Sequence, residues 1–245
     1  MKKLMILLSL SLILFSCSKD SDLSKVDETL YVRYEGADMP VYMRGNVNSN
    51  VIVLIVHGGP GGNGLEYRTG QYSVELEEKY GIAYWDQRGQ GMSHGKYKSS
   101  DLTVQAMADD MLAVVRALKS KYGSQISIFA LGHSWGGTLT ARYMTTGNYQ
   151  HELKGWIEVD GAHDIPQLNK DAVAMFISVA KEQIALGNNV ENWQSTLEWA
   201  EAIDTNNITS EQGGRLIEKA LKQKVGCRKM DLFRPRMKVE IPCPR

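Results

Sequence analysis

Runs of apolar residues divide the central part of the chain into short segments. Several of these runs are apolar at nearly every position and rich in β-branched side chains, which is typical of strands buried on both faces of a sheet. The strands predicted in this way cover residues 51–56, 82–85, 126–131 and 153–159. Before them, residues 30–44 alternate between apolar and polar side chains, with an interruption at residues 35–38, so we predict an antiparallel hairpin there.

Helical periodicity occurs between these strands. Residues 103–122 place their apolar side chains on one helix face, and Gly123 follows as a stop signal. Shorter helices are predicted at residues 75–80 and 138–145. Because strands and helices alternate, we expect an α/β fold with a mostly parallel sheet flanked by helices, in a core of residues 30–164.

The pattern changes after this core. Residues 165–225 show no strand and three helical stretches, and we interpret them as a partial helical cap. The stretches lie at about residues 168–186, 190–203 and 208–224. Residues 226–245 contain three of the six prolines and two of the three cysteines, without clear periodicity. Our hypothesis is that they are a non-native tail of a truncated or frame-shifted product; a genuine compact variant is the alternative.

The first residues have the features of a targeting segment. Lys2 and Lys3 precede an apolar run with the length of a signal-peptide core, too short to span a bilayer comfortably. The run leads into Cys17 and resembles the lipobox of bacterial lipoproteins, so Cys17 is the predicted lipidation site. We expect a signal peptide at residues 1–16, a tether at residues 17–29 and a protein anchored by lipid in a membrane of the cell envelope. A plain secretory signal is the alternative.

Composition and charge exclude several classes of protein. The 245 residues are 43% hydrophobic and 23% charged, which is typical of a folded globular chain. Lys+Arg and Asp+Glu are 28 each, so the net charge is zero and nucleic acid is not an expected partner. The 3 cysteines cannot form a disulfide scaffold, and no Cys/His set has the spacing of metal ligands. We therefore predict neither a metal site nor a cofactor.

A G-x-S-x-G motif carries the first candidate chemistry. It occupies residues 132–136, directly after a predicted buried strand and before a predicted helix, which is the setting of a nucleophile elbow. Its glycines permit a sharp turn, and the N-terminus of the helix directs N–H groups towards the serine. We predict that Ser134 is the catalytic nucleophile; a purely structural glycine turn is the alternative.

A second glycine-rich segment follows the first buried strand. In folds with a nucleophile elbow, the loop after this strand and the residue after the serine each supply a backbone N–H to the oxyanion hole. Gly58 or Gly59 and Trp135 are therefore the predicted donors. A phosphate-binding loop is the competing interpretation, but residues 57–62 match neither of the usual phosphate-loop patterns.

Three segments together carry a family resemblance. They are His57-Gly58-Gly59-Pro60-Gly61, Trp85-Asp86-Gln87-Arg88-Gly89-Gln90-Gly91-Met92-Ser93 and Gly132-His133-Ser134-Trp135-Gly136-Gly137. In this order, each at the end of a strand, they resemble the signatures of α/β-hydrolases of the proline iminopeptidase type. The resemblance covers about residues 30–160 and implies a serine hydrolase, with a helical cap, that cleaves N-terminal residues or small amides. It is also consistent with Asp86 and Arg88 bracing the loops around the oxyanion site.

The substrate class remains open at this point. A small peptide, amide or ester is the expected partner, and esterases share the same elbow. A general carboxylesterase is therefore one alternative function. An inactive, truncated homologue that only binds its ligand is another.

The sequence departs from the family pattern near its end. The family's catalytic Asp and His lie on loops after late strands, but no such strands are predicted here and no histidine follows His163. Asp160 and His163, after the fourth buried strand, are the alternative acid and base. We expect low activity, an open sheet edge and exposed apolar surface, because a serine without its base is a weak nucleophile.

Overall fold

The described part of the chain, residues 25–229 of the computed structural model, contains seven strands in one sheet. In chain order they are β1 (Lys25–Tyr34), β2 (Ala37–Asn46), β3 (Val51–Val56), β4 (Gly81–Trp85), β5 (His94–Gly95), β6 (Ser127–His133) and β7 (Gly155–Val159). The helices are α1 (Gly70–Lys79), α2 (Val104–Tyr122), α3 (Trp135–Met144), α4 (Ile165–Ala185), α5 (Val190–Glu201) and α6 (Ser210–Lys229). The predicted signal peptide and lipidation site, Cys17, lie outside the described residues.

The sheet is mixed, and its central strands are parallel, as the alternation of strands and helices predicts. Its strand order is β1-β2-β4-β3-β6-β7, and the short β5 pairs with β2. The pairs β1–β2 and β2–β4 are antiparallel, whereas β3–β4, β3–β6 and β6–β7 are parallel. Because parallel strands end at the same edge of a sheet, the loops after β3, β4, β6 and β7 meet there.

The hairpin is longer than the sequence pattern indicates. β1 begins at Lys25, so residues 25–29 belong to the sheet and not to the predicted tether. They pair in register with the end of β2, from Lys25 opposite Asn46 onwards. Glu28 also accepts hydrogen bonds from Lys121 and Tyr122 of α2, both at 2.7 Å. These contacts come from residues distant in sequence, which explains why the local pattern missed this part of the strand.

The main core lies between one face of the sheet and helices α2 and α3. Its fully buried side chains include Met39, Leu54, Met111, Val115, Leu118, Ile128, Leu139 and Tyr143. A second, smaller apolar cluster is formed by the strand residues Ile55, Ile82 and Tyr84. Successive residues of a strand belong to different clusters, because side chains along a β-strand point alternately to opposite faces of the sheet.

Two helices begin earlier than predicted, and one matches closely. α2 has Thr103 as its N-cap, with the hydroxyl accepting from Ala106 N at 3.1 Å, and Gly123 after its end. α1 begins at Gly70 and α3 at Trp135, in place of the predicted residues 75 and 138. Glycines in the first turns weaken the helical pattern in the sequence, although tertiary contacts form the helix there.

β7 pairs with a single strand, β6, within residues 25–229. Its side chains Trp156, Ile157 and Val159 are 36%, 45% and 42% exposed. The described sheet therefore has the open edge with exposed apolar side chains that the sequence predicts.

The chain divides after His163 into two compact units, and the second contains the helices α4 to α6. α4 is capped by Asp164, which accepts from Gln167 N at 3.0 Å. The three helices share their own apolar cluster, formed by Val173, Phe176, Ala200, Ile203 and Leu216. α6 continues to Lys229, so residues 226–229 of the predicted tail are helical, and residues 230–245 lie outside the described part. Within residues 25–229, none of the helices combines the length and the apolar composition that a membrane span requires.

Candidate active site

Ser134 lies on the sharp turn between β6 and α3. Its backbone has φ 53° and ψ −117°, a left-handed conformation that is strained for a residue with a side chain. Ser134 N donates to the carbonyl of Val159 at 2.9 Å, and the carbonyl of Ser134 accepts from Gly137 N at 2.9 Å. The end of β7 and the first turn of α3 therefore hold this conformation from two sides.

The glycines of the motif allow neighbouring chains to approach this turn. A Cβ atom on Gly136 would overlap the carbonyl oxygen of Val56 and lie 2.8 Å from that of His57. A Cβ on Gly58 would lie 3.3 Å from the Cβ of Ser134. The loop after β3 thus runs directly beside the serine, as the sequence leads us to expect of an elbow.

The predicted oxyanion-hole donors differ in what their N–H groups contact. Gly58 N donates to the hydroxyl of Tyr67 at 2.9 Å and is therefore already engaged. Gly59 N and Trp135 N donate to no other residue in the described part of the chain. Trp135 is the first residue of α3, where a backbone N–H has no acceptor within the helix. Of the two glycines, Gly59 is thus the one with an N–H available to a ligand.

Tyr67 is a site residue that the sequence analysis missed. Its hydroxyl accepts from Gly58 N at 2.9 Å, and the same oxygen lies 2.6 Å from Nδ1 of His133. Burial raises the pKa of Tyr67, so the hydroxyl stays protonated at neutral pH. Tyr67 belongs to a short 3₁₀ turn, residues 64–67, and no motif marks it in the sequence. An open cleft of about 410 Å³ beside this contact is lined by Glu66, Tyr67, Leu131, His133 and Val159.

His57 shapes the glycine-rich loop and is fully buried. Its Nδ1 donates to the carbonyl of Gly58 at 2.8 Å, and its Nε2 accepts from Gln87 N at 3.4 Å. Burial lowers the pKa of His57, which keeps the ring neutral as this pair of hydrogen bonds requires. With both ring nitrogens engaged, His57 holds the loop and is not placed as a base.

Of the two residues in the loop after β4 that the sequence indicates as braces of the site, one acts there and the other does not. Asp86 accepts from Gly64 N and Met92 N, both at 2.8 Å, so this acid does organise its surroundings. Arg88 instead forms a buried ion pair with Asp110 of α2, with Nε 2.8 Å from Oδ2. Arg88 also donates to the carbonyl of Glu35, so it ties the β1–β2 hairpin to α2.

The alternative acid and base, Asp160 and His163, do not pair with each other. Asp160 follows β7 with a left-handed φ of 56°. His163 Nε2 lies 2.6 Å from a carboxylate oxygen of Glu158 instead. The loop between them packs against α3, where the hydroxyl of Thr138 donates to the carbonyl of Ala162 at 2.6 Å. Within residues 25–229, Ser134 Oγ makes no hydrogen bond to a histidine.

The loops that converge near Ser134 present backbone amides, aromatic rings and amide side chains. Such a site favours chemistry at a carbonyl, where backbone N–H groups stabilise a developing negative charge. Among residues 25–229, no group of three or more His, Cys, Asp or Glu side chains could hold a metal ion.

A family model described as "Serine aminopeptidase, S33" matches residues 48–212. The chain belongs to this family. The matched residues include the loops after β3 and β4, the elbow between β6 and α3, and part of the second unit. The mostly parallel sheet flanked by helices is accordingly an α/β-hydrolase fold, and the resemblance to proline iminopeptidases is confirmed.

Curated relatives of this S33 family member include peptidases and an esterase. The protein of Bacillus subtilis named "Probable aminopeptidase YbaC" is 35% identical over 91 residues, which are 37% of this chain and 28% of the relative. Proline iminopeptidase of Saccharolobus solfataricus is 33% identical over 51% of this chain and 37% of the relative. Protein phosphatase methylesterase 1 of Candida albicans is 32% identical over 51% of this chain and 33% of the relative. The chain thus spans well under half the length of these relatives.

Solved structures show the same fold. The proline iminopeptidase-related protein of Thermus thermophilus has a TM-score of 0.50 and 23% identity, covering 82% of this chain and 67% of its own. VinJ has a TM-score of 0.51 and 19% identity, covering 71% of this chain and 58% of its own. At these identities the likeness concerns the fold alone.

Proposed function

We propose that this protein is a serine hydrolase of the aminopeptidase type, which cleaves N-terminal residues or small amides with Ser134 as nucleophile. The observation that carries the proposal is the backbone of Ser134, whose φ of 53° forms a strained turn between β6 and α3. Strain of this kind is retained in proteins where it holds a functional group in position. Membership of the serine aminopeptidase S33 family supports the same class of reaction.

The proposed reaction proceeds through an acyl-enzyme. The Ser134 oxygen attacks the carbonyl carbon of the substrate while its proton passes to a base. We assign the N–H groups of Gly59 and Trp135 to the resulting oxyanion, because both lie on the segments around the serine and neither has another acceptor in the described chain. Collapse of this intermediate releases the amine with the proton, and water then hydrolyses the ester to Ser134.

We propose His163 as the base to be tested in this reaction. The base of a serine hydrolase is oriented by a carboxylate, and Nε2 of His163 lies 2.6 Å from a carboxylate oxygen of Glu158. Under this proposal Nδ1 of His163 takes the proton from Ser134. The loop of His163 is also fastened to α3 through Thr138. Under this proposal Glu158 takes the role for which the sequence indicated Asp160.

The substrate class is proposed from the relatives that carry peptidase names. Two of them are named as an aminopeptidase and a proline iminopeptidase, which favours amides next to a free N-terminus. A carboxylesterase is the second candidate, because a relative named protein phosphatase methylesterase 1 matches over a similar share of this chain. The remaining alternative is a homologue that only binds its ligand, in which Ser134 would be unreactive.

The test combines labelling with turnover on the full chain. We expect a phosphonofluoridate to label Ser134, as located by mass spectrometry, and Ser134→Ala to lower kcat roughly 10⁴-fold or more. Ser99→Ala is the matched control, since Ser99 lies on an exposed turn outside the proposed site and should leave kcat unchanged. His163→Ala should lower kcat by a similar factor if His163 is the base.

The outcomes separate the candidate functions. Turnover of a prolyl amide above that of a short-chain ester supports the peptidase, and the reverse order supports the esterase. A label on another serine, or full activity of Ser134→Ala, would reject the proposed nucleophile. Absence of both labelling and turnover in the unaltered chain would favour the binding-only homologue.

We propose that the protein acts at a membrane of the cell envelope, anchored by lipid at Cys17. The proposal comes from the sequence of residues 1–17, which lie outside the described part of the structure. The described chain begins at Lys25, so only a short segment separates the proposed anchor from β1. The catalytic unit would therefore remain close to the membrane surface.

A further inference from the structure

The side chain of Gln87 joins the two segments that carry the proposed oxyanion-hole donors. Gln87 is fully buried in the loop after β4. Its Nε2 donates to the carbonyl of His57 at 2.8 Å, at the start of the glycine-rich loop. Its Oε1 accepts from the indole Nε1 of Trp135 at 3.0 Å, at the start of α3. One amide group thus bridges the loop after β3 and the residue after the serine.

A second amide extends the bridge to the far end of the same loop. Gln90 Nε2 donates to Gln87 Oε1 at 3.2 Å, and Gln90 Oε1 accepts from Gly61 N at 2.6 Å. Gln87 N also donates to the ring of His57 at 3.4 Å. The glycine loop is therefore held at His57 and at Gly61, on both sides of Gly59, by side chains of one neighbouring loop.

We infer that Gln87 is a positioning residue that sets the separation of the Gly59 and Trp135 N–H groups, and this inference rests on the proposed function. Oxyanion stabilisation depends on donors that are already placed before the charge develops. A displacement of about 1 Å can cost on the order of 10²-fold in rate. The site needs an amide in particular, because one side chain must donate to a carbonyl and accept from an indole at once.

The bridge also explains two residue types in the strand-end loops. The indole of Trp135 supplies the only donor of that side chain, and Gln87 Oε1 is its acceptor. A carboxylate at position 87 could still accept from the indole but could not donate to the carbonyl of His57. Gln87→Glu therefore removes one half of the bridge and Trp135→Phe removes the other, while each leaves the backbone amide of residue 135 in place.

The experiment measures kcat and KM on the full chain for Gln87→Met, Gln87→Glu and Trp135→Phe, with the amount of reactive Ser134 titrated by a phosphonofluoridate. We expect kcat per titrated serine to fall roughly 10- to 100-fold in each variant, with KM within about twofold of the unaltered protein. The double variant Gln87→Met/Trp135→Phe should be little worse than either single variant, since all remove one bridge. Gln71→Met is the control, because Gln71 is exposed and bonds only Glu75.

The titration separates positioning from mere structural support. A variant that only unfolds more easily loses titratable serine but keeps its kcat per titrated site. Unchanged kcat per site in Gln87→Met and Trp135→Phe, or a loss confined to KM, would overturn the inference. If Gln87→Met does not fold, Trp135→Phe still tests the inference, because Trp135 is the partly exposed partner in the same hydrogen bond. Failure of the proposed function is distinct, since Ser134→Ala would then retain turnover.

Discussion

Single side chains near Ser134 determine which backbone amides remain free for a ligand. Tyr67 takes the N–H of Gly58, and Gln90 takes that of Gly61, so Gly59 is left between them. Trp135 keeps its N–H free because it begins a helix. At this scale, hydrogen bonds from the 3₁₀ turn at residues 64–67 and from the loop after β4 decide which neighbouring amides remain free.

His57 should make the stability of the protein depend on pH. Its burial lowers its pKa from the ordinary 6.5, so the unfolded chain binds a proton more readily than the folded one. The contribution of neutral His57 to the free energy of unfolding is complete above pH 6.5. It is lost as the pH falls from there towards the pKa of His57 in the folded protein. We expect the free energy of unfolding to decrease on acidification by up to about 1.4 kcal/mol per pH unit from this residue.

The measurement is urea unfolding between about pH 7.5 and 5.5 of the unaltered protein and of His57→Gln, a range that brackets the ordinary pKa of histidine. The variant should be less stable at the upper pH and should show a weaker decrease on acidification. His94→Gln is the control for the same substitution at an exposed position. Equal pH dependence of His57→Gln and the unaltered protein would contradict the expectation.

At the level of elements, the start of α3 is a place where the fold tolerates little change. β3, β6 and α3 converge there, and Gly136 lies against the backbone of Val56 and His57. The parallel pairs of β3, β6 and β7 deliver these chain ends to one place. Helix propensity plays a small part in forming this helix, since two glycines follow its first residue.

Substituting Gly136 should therefore destabilise the protein far more than helix propensity suggests. The added Cβ would overlap the carbonyl oxygen of Val56, and backbone on both sides would have to move. We expect Gly136→Ala to lower the free energy of unfolding by about 3 kcal/mol or more, or to prevent folding. Thermal and urea unfolding would measure the change.

Gly214 of α6 provides the matched substitution. A Cβ on Gly214 meets no atom within 4 Å, so Gly214→Ala should stabilise its helix by up to about 1 kcal/mol. The same chemical change thus has opposite signs at the two positions. A loss of similar size in both variants would show that backbone proximity is not the cause.

At the scale of the whole molecule, the two units have separate cores. The first packs α2 and α3 on the sheet, and the second packs α4 to α6 on one another. All the proposed site residues, from His57 to His163, belong to the first unit. The proposed anchor at Cys17 lies close to the start of the chain, so location and catalysis are separable by mutation.

We expect Cys17→Ala to release the protein from the membrane fraction or to leave its signal peptide uncleaved. Lipidation needs the thiol, and acyl chains provide the hydrophobic energy that holds the protein at the bilayer. Fractionation with immunoblotting measures the first effect, and intact mass measures the second. Cys227→Ala is the control, and unchanged membrane partition with normal processing of Cys17→Ala would reject the anchor.

The order of the core elements and the position of Ser134 follow from local sequence. Buried strands such as residues 51–56 are continuous apolar runs, and α2 has a periodic face with a cap at each end. These are short-range properties, so they can be recognised without the fold. The elbow belongs to this group, because its glycines and its serine are adjacent in the chain and lie between a strand and a helix.

Only the tertiary structure decided which groups meet. The partner of His163 is Glu158 and not Asp160, Tyr67 occupies the amide of Gly58, and Gln87 bridges the loops. Each of these contacts joins side chains or backbone groups whose relative positions depend on strand order and loop packing. The alternation of strands and helices along the chain predicts that the central strands are parallel. It does not give the register of the strands or the side-chain direction at the strand ends. Those follow from how the sheet and its helices pack together, which no short segment of sequence specifies.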